Sequence, residues 1–398
     1  MPAADRSPVA VLLLARELTH GGSERQLTEI AKALDRRWFI PHVGCVVGQG
    51  VRADEIRAAG IPVIEFPMTS LASREAWDAA ASLRLYVKEH AIKVIHAFDS
   101  AMAAFAAPVG RLSTRARVVL TSQRCFEDAI YPPQRWQVRV AHRLAHGTVA
   151  NCEAVRRHLI EHYHLPESKI RVCRNGLDAA RFPAGPRSLP PVLAGASLVI
   201  GTLSVLRPEK GLALLLEAFA AVRRDAPGAK LLVVGSGPER DALMGLSRSL
   251  GIAQDCHFEP AAADVSPWMR SIDVFVQPSL SEALSNSIME AMASGCCVIA
   301  SDVGGNPELV EHGRSGLLFP RGNAEALAGQ LQSVIGHRDL IEVYAANGCE
   351  RIRREFTLTG AVEKMQSIYT EFLNGRGRQK TPLPAEAREH ETGAKLRK

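Results

Sequence analysis

Two stretches of the chain open in the same way. An apolar run over 9–15 is followed by Thr19-His20-Gly21-Gly22-Ser23 and then by Leu27, Ile30, Ala31 and Leu34, spaced i, i+3, i+4, i+7. A second run, over 198–203, leads through Leu206-Arg207-Pro208-Glu209-Lys210-Gly211 into Leu212, Leu215, Leu216 and Phe219 at the same spacing. Each reads as a strand, a loop carrying glycine and charge, and an amphipathic helix. Further continuously apolar runs lie over 42–47, 94–97, 118–122 and 148–151, and over 230–235, 256–258, 274–278 and 297–301. Strands that are apolar without alternation are buried on both faces, as in parallel sheets. Helical patterns separate most of them, which is the alternation of an α/β fold. The pattern therefore predicts two Rossmann-like, doubly wound parallel-sheet domains facing each other across a cleft.

A proline- and glycine-rich stretch over 183–191 divides the halves. The expected division is a first domain over 1–185, a linker over 186–192, a second domain over 193–357 and a helix over 358–376 that can cross back to the first domain. A polar stretch over 377–398 has no periodicity and reads as a disordered basic tail.

Charge adds an asymmetry to this picture. Residues 1–190 hold 26 Lys+Arg against 18 Asp+Glu, while residues 191–376 hold 16 against 21. The basic first half is suited to an anionic membrane or a phosphate-bearing acceptor, and equally to a merely arginine-rich surface, whereas nucleic-acid binding would want a basic field over the whole surface. Arg135, Arg139 and Arg143 recur at helical spacing beside Trp136, Val140 and Leu144, after Tyr131-Pro132-Pro133. That stripe is compatible with docking on anionic headgroups and also with an ordinary solvated helix face. The eight cysteines form no C-x-x-C, so neither a zinc site nor a disulfide framework is indicated. The run over 9–15 lacks a basic segment before it and a cleavage site, and the run over 191–206 is too short and too interrupted to span a membrane. A cytoplasmic protein is expected, with a candidate peripheral contact at the cytoplasmic face of the inner membrane.

The segment over 279–320 carries the densest chemistry. Glu282 follows the apolar run over 274–278, at a strand C-terminal end, where open α/β sheets bind ligands. Ser285, Asn286 and Ser287 are residue types that begin helices, Glu290 falls near the first turn, and Gly295 ends the helix. A helix start offers partial positive charge to a phosphate, and two carboxylates nearby can accept from sugar or ribose hydroxyls.

SLSEALSNSIMEAMASG, followed by a strand and then VGGNPELV, resembles the retaining glycosyltransferases of family 4, which share the GT-B fold of twin Rossmann-like domains. The resemblance runs to about residue 375, through GGSERQL, SVLRPEKGLALLLEAF, LLVVGSGPER and CHFEP in the family's order. It implies an acceptor side in the first domain and a nucleotide-sugar side in the second. Arg207 and Lys210 would hold the donor's pyrophosphate, Glu290 the ribose and Glu282 the donor sugar hydroxyls. Gly21 and Gly22 would bring the N-terminal loop to the diphosphate. Gly235 and Gly237, with His257, Phe258 and Glu259, would line the base. The chemistry agrees: breaking a glycosyl–phosphate bond pushes negative charge onto the leaving group, which fixed cations stabilise.

No aspartate stands two residues from another, so no Asp-x-Asp metal site is offered, and neither a metal nor another cofactor is expected. The family often carries His-x-His at the end of an N-terminal-domain strand. Here His96-Ala97-Phe98-Asp99 keeps only the first, leaving His96 or Asp99 to make that contact, or His96 as a packed strand-end residue. The expected activity is retaining, metal-independent hexosyl transfer from a nucleoside-diphosphate sugar, UDP-sugar first, to a glycan or lipid-linked acceptor in polysaccharide or glycoconjugate synthesis. The alternatives are a sugar-nucleotide epimerase on the same architecture and a non-catalytic nucleotide-sugar-binding protein. A nicotinamide-dependent dehydrogenase is disfavoured, because neither βα start carries G-x-G-x-x-G.

Overall fold

The structure is a computed structural model that describes residues 7–19, 21–126, 134–185, 187–262 and 264–375. Its first sheet contains β1 (Val9–Glu17), β2 (Phe39–Val47), β3 (Val63–Glu65), β4 (Val94–Ala97), β5 (Val118–Gln123), β6 (Gly147–Ala150) and β7 (Ile170–Val172). Its second contains β8 (Leu198–Leu203), β9 (Ala229–Val234), β10 (Cys256–Glu259), β11 (Val274–Gln277), β12 (Cys297–Ser301) and β13 (Leu317–Phe319). The strand orders are β3-β2-β1-β4-β5-β6-β7 and β10-β9-β8-β11-β12-β13, and every pairing is parallel. Both orders reverse beside their first strand, so each sheet has a switch point where its loops open a crevice.

The apolar runs of the sequence all fall on strands, three of them with the same bounds (94–97, 198–203 and 297–301) and the rest with ends moved by up to three residues. The edge strands β3, β7 and β13 have three residues each, too few to carry a period. Helices cover both faces of both sheets, and one apolar cluster passes through the junction between them. It joins Cys152, Val155 and Leu159 to Ala283, Ile288, Leu309 and Phe356. Arg187 pairs with Asp273 at 3.0 Å, and the Ser188 amide donates to the Arg270 carbonyl, so the stretch between the sheets is docked along the second half.

The last two helices divide their allegiance. Asp339–Glu355 packs against the helix Asn286–Ala293 in the second half. The helix Leu358–Leu373 lies instead on the first sheet, where Tyr369 is fully buried and a Cβ on Gly147 would stand 2.2 Å from the Phe372 ring. Burying two such aromatics ties the chain's last described helix to its first domain by several kcal/mol, of the order of ~3–5 for truncating either one. The proposed basic tail lies outside the described residues. The same holds for Tyr131-Pro132-Pro133, while the basic helix after them is present as Arg135–Leu144.

Candidate active site

The C-terminal ends of the two sheets face one another across a cavity of about 850 Å³. From the second half, β8 runs into a short turn, Pro208–Lys210, and then into the helix Leu212–Val222. Gly211 joins the two with φ 62°, and a Cβ there would lie 2.3 Å from the Pro278 carbonyl oxygen. Only glycine combines that backbone with that approach. The turn therefore docks on the end of β11, where the Leu280 amide donates to the Glu209 carbonyl and Lys210 Nζ donates to Glu282 Oε2 at 2.6 Å. Arg207 lines the same cavity, with its side chain 60% exposed and 3.9 Å from Glu209.

The helix Asn286–Ala293 begins at the cavity wall. The Ser285 hydroxyl caps it by accepting from the Ile288 amide, and Asn286 and Ser287 line the cavity. Amides of the first helical turn have no partners within the helix and favour an anion. Glu290, one turn further, is buried at the floor and ion-paired with Arg25 from the helix Gly22–Ala33 of the first half. Burial pushes the Glu290 carboxyl above the ordinary glutamate range, and the Arg25 guanidinium opposes that rise.

A polar junction fixes the two walls relative to each other. Asn175 Nδ2 donates to the Leu284 carbonyl at 3.1 Å and to Asn286 Oδ1 at 2.9 Å. Gln26 exchanges two bonds of 3.0 Å with the backbone of Gly176. Asn286 Nδ2 donates to the Gly22 carbonyl at 3.4 Å, and a Cβ on Gly22 would stand 2.9 Å from that amide. The glycine loop thus touches the helix start of the other half.

Of the residues singled out in the sequence, Gly21, Gly22, Arg207, Lys210, Gly235, Glu282, Ser285, Asn286, Ser287 and Glu290 line this one cavity. His96 does not. It is fully buried, with Nδ1 at 2.9 Å from the Tyr369 hydroxyl, Nε2 at 2.9 Å from Ser122 Oγ, and its ring against Phe98. Its place on β4 turns it towards the face covered by the last helix, and burial holds it well below the ordinary histidine range. A catalytic role for His96 is withdrawn on that ground. Asp99 does not replace it: its carboxylate caps the helix Ser100–Ser113, accepting from the Met102 amide at 2.8 Å and the Arg16 amide at 2.6 Å.

His257, Phe258 and Glu259 also stand off the cavity, because β10 ends before reaching it. The chain that follows, at Ala261, Ala262, Asp264, Val265 and Ser266, forms the wall. Gly237 is structural: with φ 159°, its missing Cβ leaves room for the Leu206 carbonyl oxygen, 2.3 Å away.

Sequence reasoning missed Arg25, Arg52, Arg124, Asn175 and Arg181, all on the first half's wall. Arg25 stands three residues after Gly22, in the first turn of the helix that the marked loop leads into, and Arg124 follows a predicted strand end, the same signal that marked Glu282. Nothing local marks Asn175. Among the described residues no group of three or more His, Cys, Asp or Glu side chains is placed to hold a metal ion, and no helix is long and apolar enough to cross a membrane.

Facing parallel sheets with this cavity between their C-terminal ends define the GT-B fold. Residues 20–181 match the family described as Glycosyltransferase Family 4, and residues 197–337 match Glycosyl transferases group 1. The chain belongs to family 4 of the glycosyltransferases. It is 28% identical over 339 residues to the GDP-mannose-dependent alpha-(1-6)-phosphatidylinositol monomannoside mannosyltransferase of Mycobacterium tuberculosis, covering 81% of this chain and 86% of that one. It is also 28% identical to the D-inositol 3-phosphate glycosyltransferase of Jonesia denitrificans, over 83% and 77% of the two chains. In fold it is similar to HepE of Anabaena in complex with UDP, with a TM-score of 0.77, 22% identity, and 92% and 100% of the two chains covered. A glycosyltransferase of Rickettsia africae gives 0.78 at 22% identity, over 92% and 99%.

Proposed function

We propose that this glycosyltransferase moves a hexosyl group from a nucleoside-diphosphate sugar to a hydroxyl of a glycan or lipid-linked acceptor, with retention and without a metal. The observation that carries the reading is the convergence of Arg207, Lys210 and the start of the helix Asn286–Ala293 on the cavity that also holds Glu282 and Glu290. The two cations and the helix amides would bind the diphosphate and stabilise the charge that grows on it as the glycosyl bond breaks. Arg207 offers a planar fork and Lys210 a point charge. Glu290 would accept from the ribose hydroxyls and Glu282 from the donor sugar. Because Glu282 is already paired with Lys210, it suits hydroxyl recognition better than nucleophilic attack. That favours a front-face reaction, in which a leaving phosphate oxygen takes the proton of the incoming hydroxyl, over a double displacement.

UDP-sugar is the first donor expected, in keeping with the UDP complex of the Anabaena protein. The GDP-mannose dependence in the mycobacterial relative's name supports a GDP-sugar as the second. The phosphate-bearing acceptors in both relatives' names fit the basic first half. Exposed Trp136 and Val140 on the helix Arg135–Leu144 support a peripheral membrane contact at the cytoplasmic face. The epimerase alternative gains nothing from these relatives, whose names are those of transferases.

Incubation with UDP-, GDP- and ADP-sugars, reading the melting temperature, identifies the donor base. Product anomeric configuration by NMR tests retention, and EDTA tests metal independence. Absence of any nucleotide-dependent shift would refute the proposed donor cleft.

A further inference from the structure

The cavity's cations are not equally engaged. Arg25 pairs with Glu290, Arg52 with Glu55, Arg181 with Glu29 and Lys210 with Glu282. Arg124, one residue beyond the end of β5, pairs with no carboxylate among the described residues. Its guanidinium lies 4.9 Å over the Phe98 ring, Nη1 donates to Asn175 Oδ1 at 2.8 Å, and Nε is buried without a partner. Burial alone pulls its pKa below the ordinary arginine range, with no carboxylate among the groups that oppose the shift. A guanidinium has five N–H donors, and a half-buried one met by a single amide oxygen and a ring face is an unfinished site. The counter-charge is therefore expected from a ligand.

The surroundings say where that ligand group sits. Asn175, the partner of Arg124, holds Asn286 at the helix start through its amide nitrogen. Phe126, two residues on, packs beside Gly304, whose missing Cβ would lie 1.7 Å from the Glu282 carbonyl oxygen. Arg124 thus lines the cavity on the side of the helix start, one hydrogen-bonded residue from Asn286.

We infer that Arg124 is an oxyanion-binding residue on the helix-start side of the cleft, donating its free N–H groups to a phosphate or carboxylate oxygen. The inference rests on the donor cleft proposed above only for its first source, the donor's diphosphate. The second source is an anionic group on the acceptor.

The test uses the full chain as wild type, Arg124→Gln and Arg124→Lys, with melting temperature and near-UV circular dichroism as checks that each is folded. UDP or GDP, whichever shifts the wild type, is titrated calorimetrically alongside its nucleoside. Inorganic phosphate is titrated into the nucleotide-saturated protein and into the free protein. If Arg124 serves the donor, Arg124→Gln weakens the diphosphate by about tenfold to a hundredfold and leaves the nucleoside unchanged. If it serves the acceptor, diphosphate affinity holds, while the nucleotide-saturated wild type binds phosphate and Arg124→Gln does not. Arg124→Lys keeps part of either interaction. Nucleotide and phosphate affinities of Arg124→Gln within about twofold of wild type, well inside the loss a charged hydrogen bond implies, would overturn the inference. Failure of the wild type to bind any nucleotide would sink the donor reading instead, and the phosphate titration of the free protein would still decide the role of Arg124.

Discussion

Replacing Arg25 by alanine would strip the counter-charge from Glu290, and the size of the effect follows from burial. The two side chains are 13% and 8% exposed, so solvent screens the pair little. Removing one partner of such a pair costs about 3–5 kcal/mol, because the other charge stays buried. The guanidinium also lies 5.4 Å over the Phe182 ring, which adds a packing loss that does not depend on pH. The ionic part depends on pH in a definite direction. The Glu290 carboxyl is already raised by burial, and loss of Arg25 raises it further. In the window between the unfolded glutamate value, about 4.3, and that raised value, the folded state holds the extra proton. Stability is therefore favoured at the low end of the window and lost as pH rises through it. Urea unfolding of Arg25→Ala at a series of pH values should show a deficit that is largest above neutrality and shrinks towards pH ~5. Arg25→Ala/Glu290→Gln should recover most of it, with a coupling of roughly 1–3 kcal/mol in the double-mutant cycle. A deficit that is flat with pH and untouched by Glu290→Gln would refute the reasoning and leave only the contact with Phe182.

Lys210→Ala and Glu290→Gln should each abolish most transfer while the circular dichroism of the fold is kept, and near-normal rates in both would remove the assigned cleft. His96→Gln should lower stability without moving the donor KM. His96 and His142, the latter pushed down to about 3, stay neutral in the fold while the unfolded chain takes up protons below about 6.5. Stability present above that value is thus lost as pH falls, and His96→Gln should flatten the slope of unfolding free energy between roughly pH 6 and 4. Gly211→Ala meets both a left-handed backbone and the Pro278 carbonyl 2.3 Å away. It should cost at least about 1–2 kcal/mol in urea unfolding and weaken nucleotide binding, because the turn that aims Lys210 is displaced.

The amino-acid sequence determined the local frame. Short continuously apolar runs set between helical patterns read as strands buried on both faces, and the glycine-and-charge loops after them then fall at strand ends. For that reason the positions of Arg207, Lys210, Glu282 and Glu290 at strand ends and a helix start were legible in the chain, while the roles given to them came from the resemblance to family 4. Tertiary structure decided which side chains meet. The pairing of Arg25 with Glu290 spans 265 residues, and no period or motif encodes it. His96 shows the converse: as a strand-end histidine it has the pattern of a site residue, and only the packed structure takes its ring nitrogens out of the cleft, Nδ1 to the Tyr369 hydroxyl of the last helix and Nε2 to Ser122 Oγ of β5. Local pattern follows from the chain's own periodicity, whereas contact across the cleft depends on how two independently wound sheets face each other, a relation set by the apolar junction through Cys152, Ala283 and Phe356.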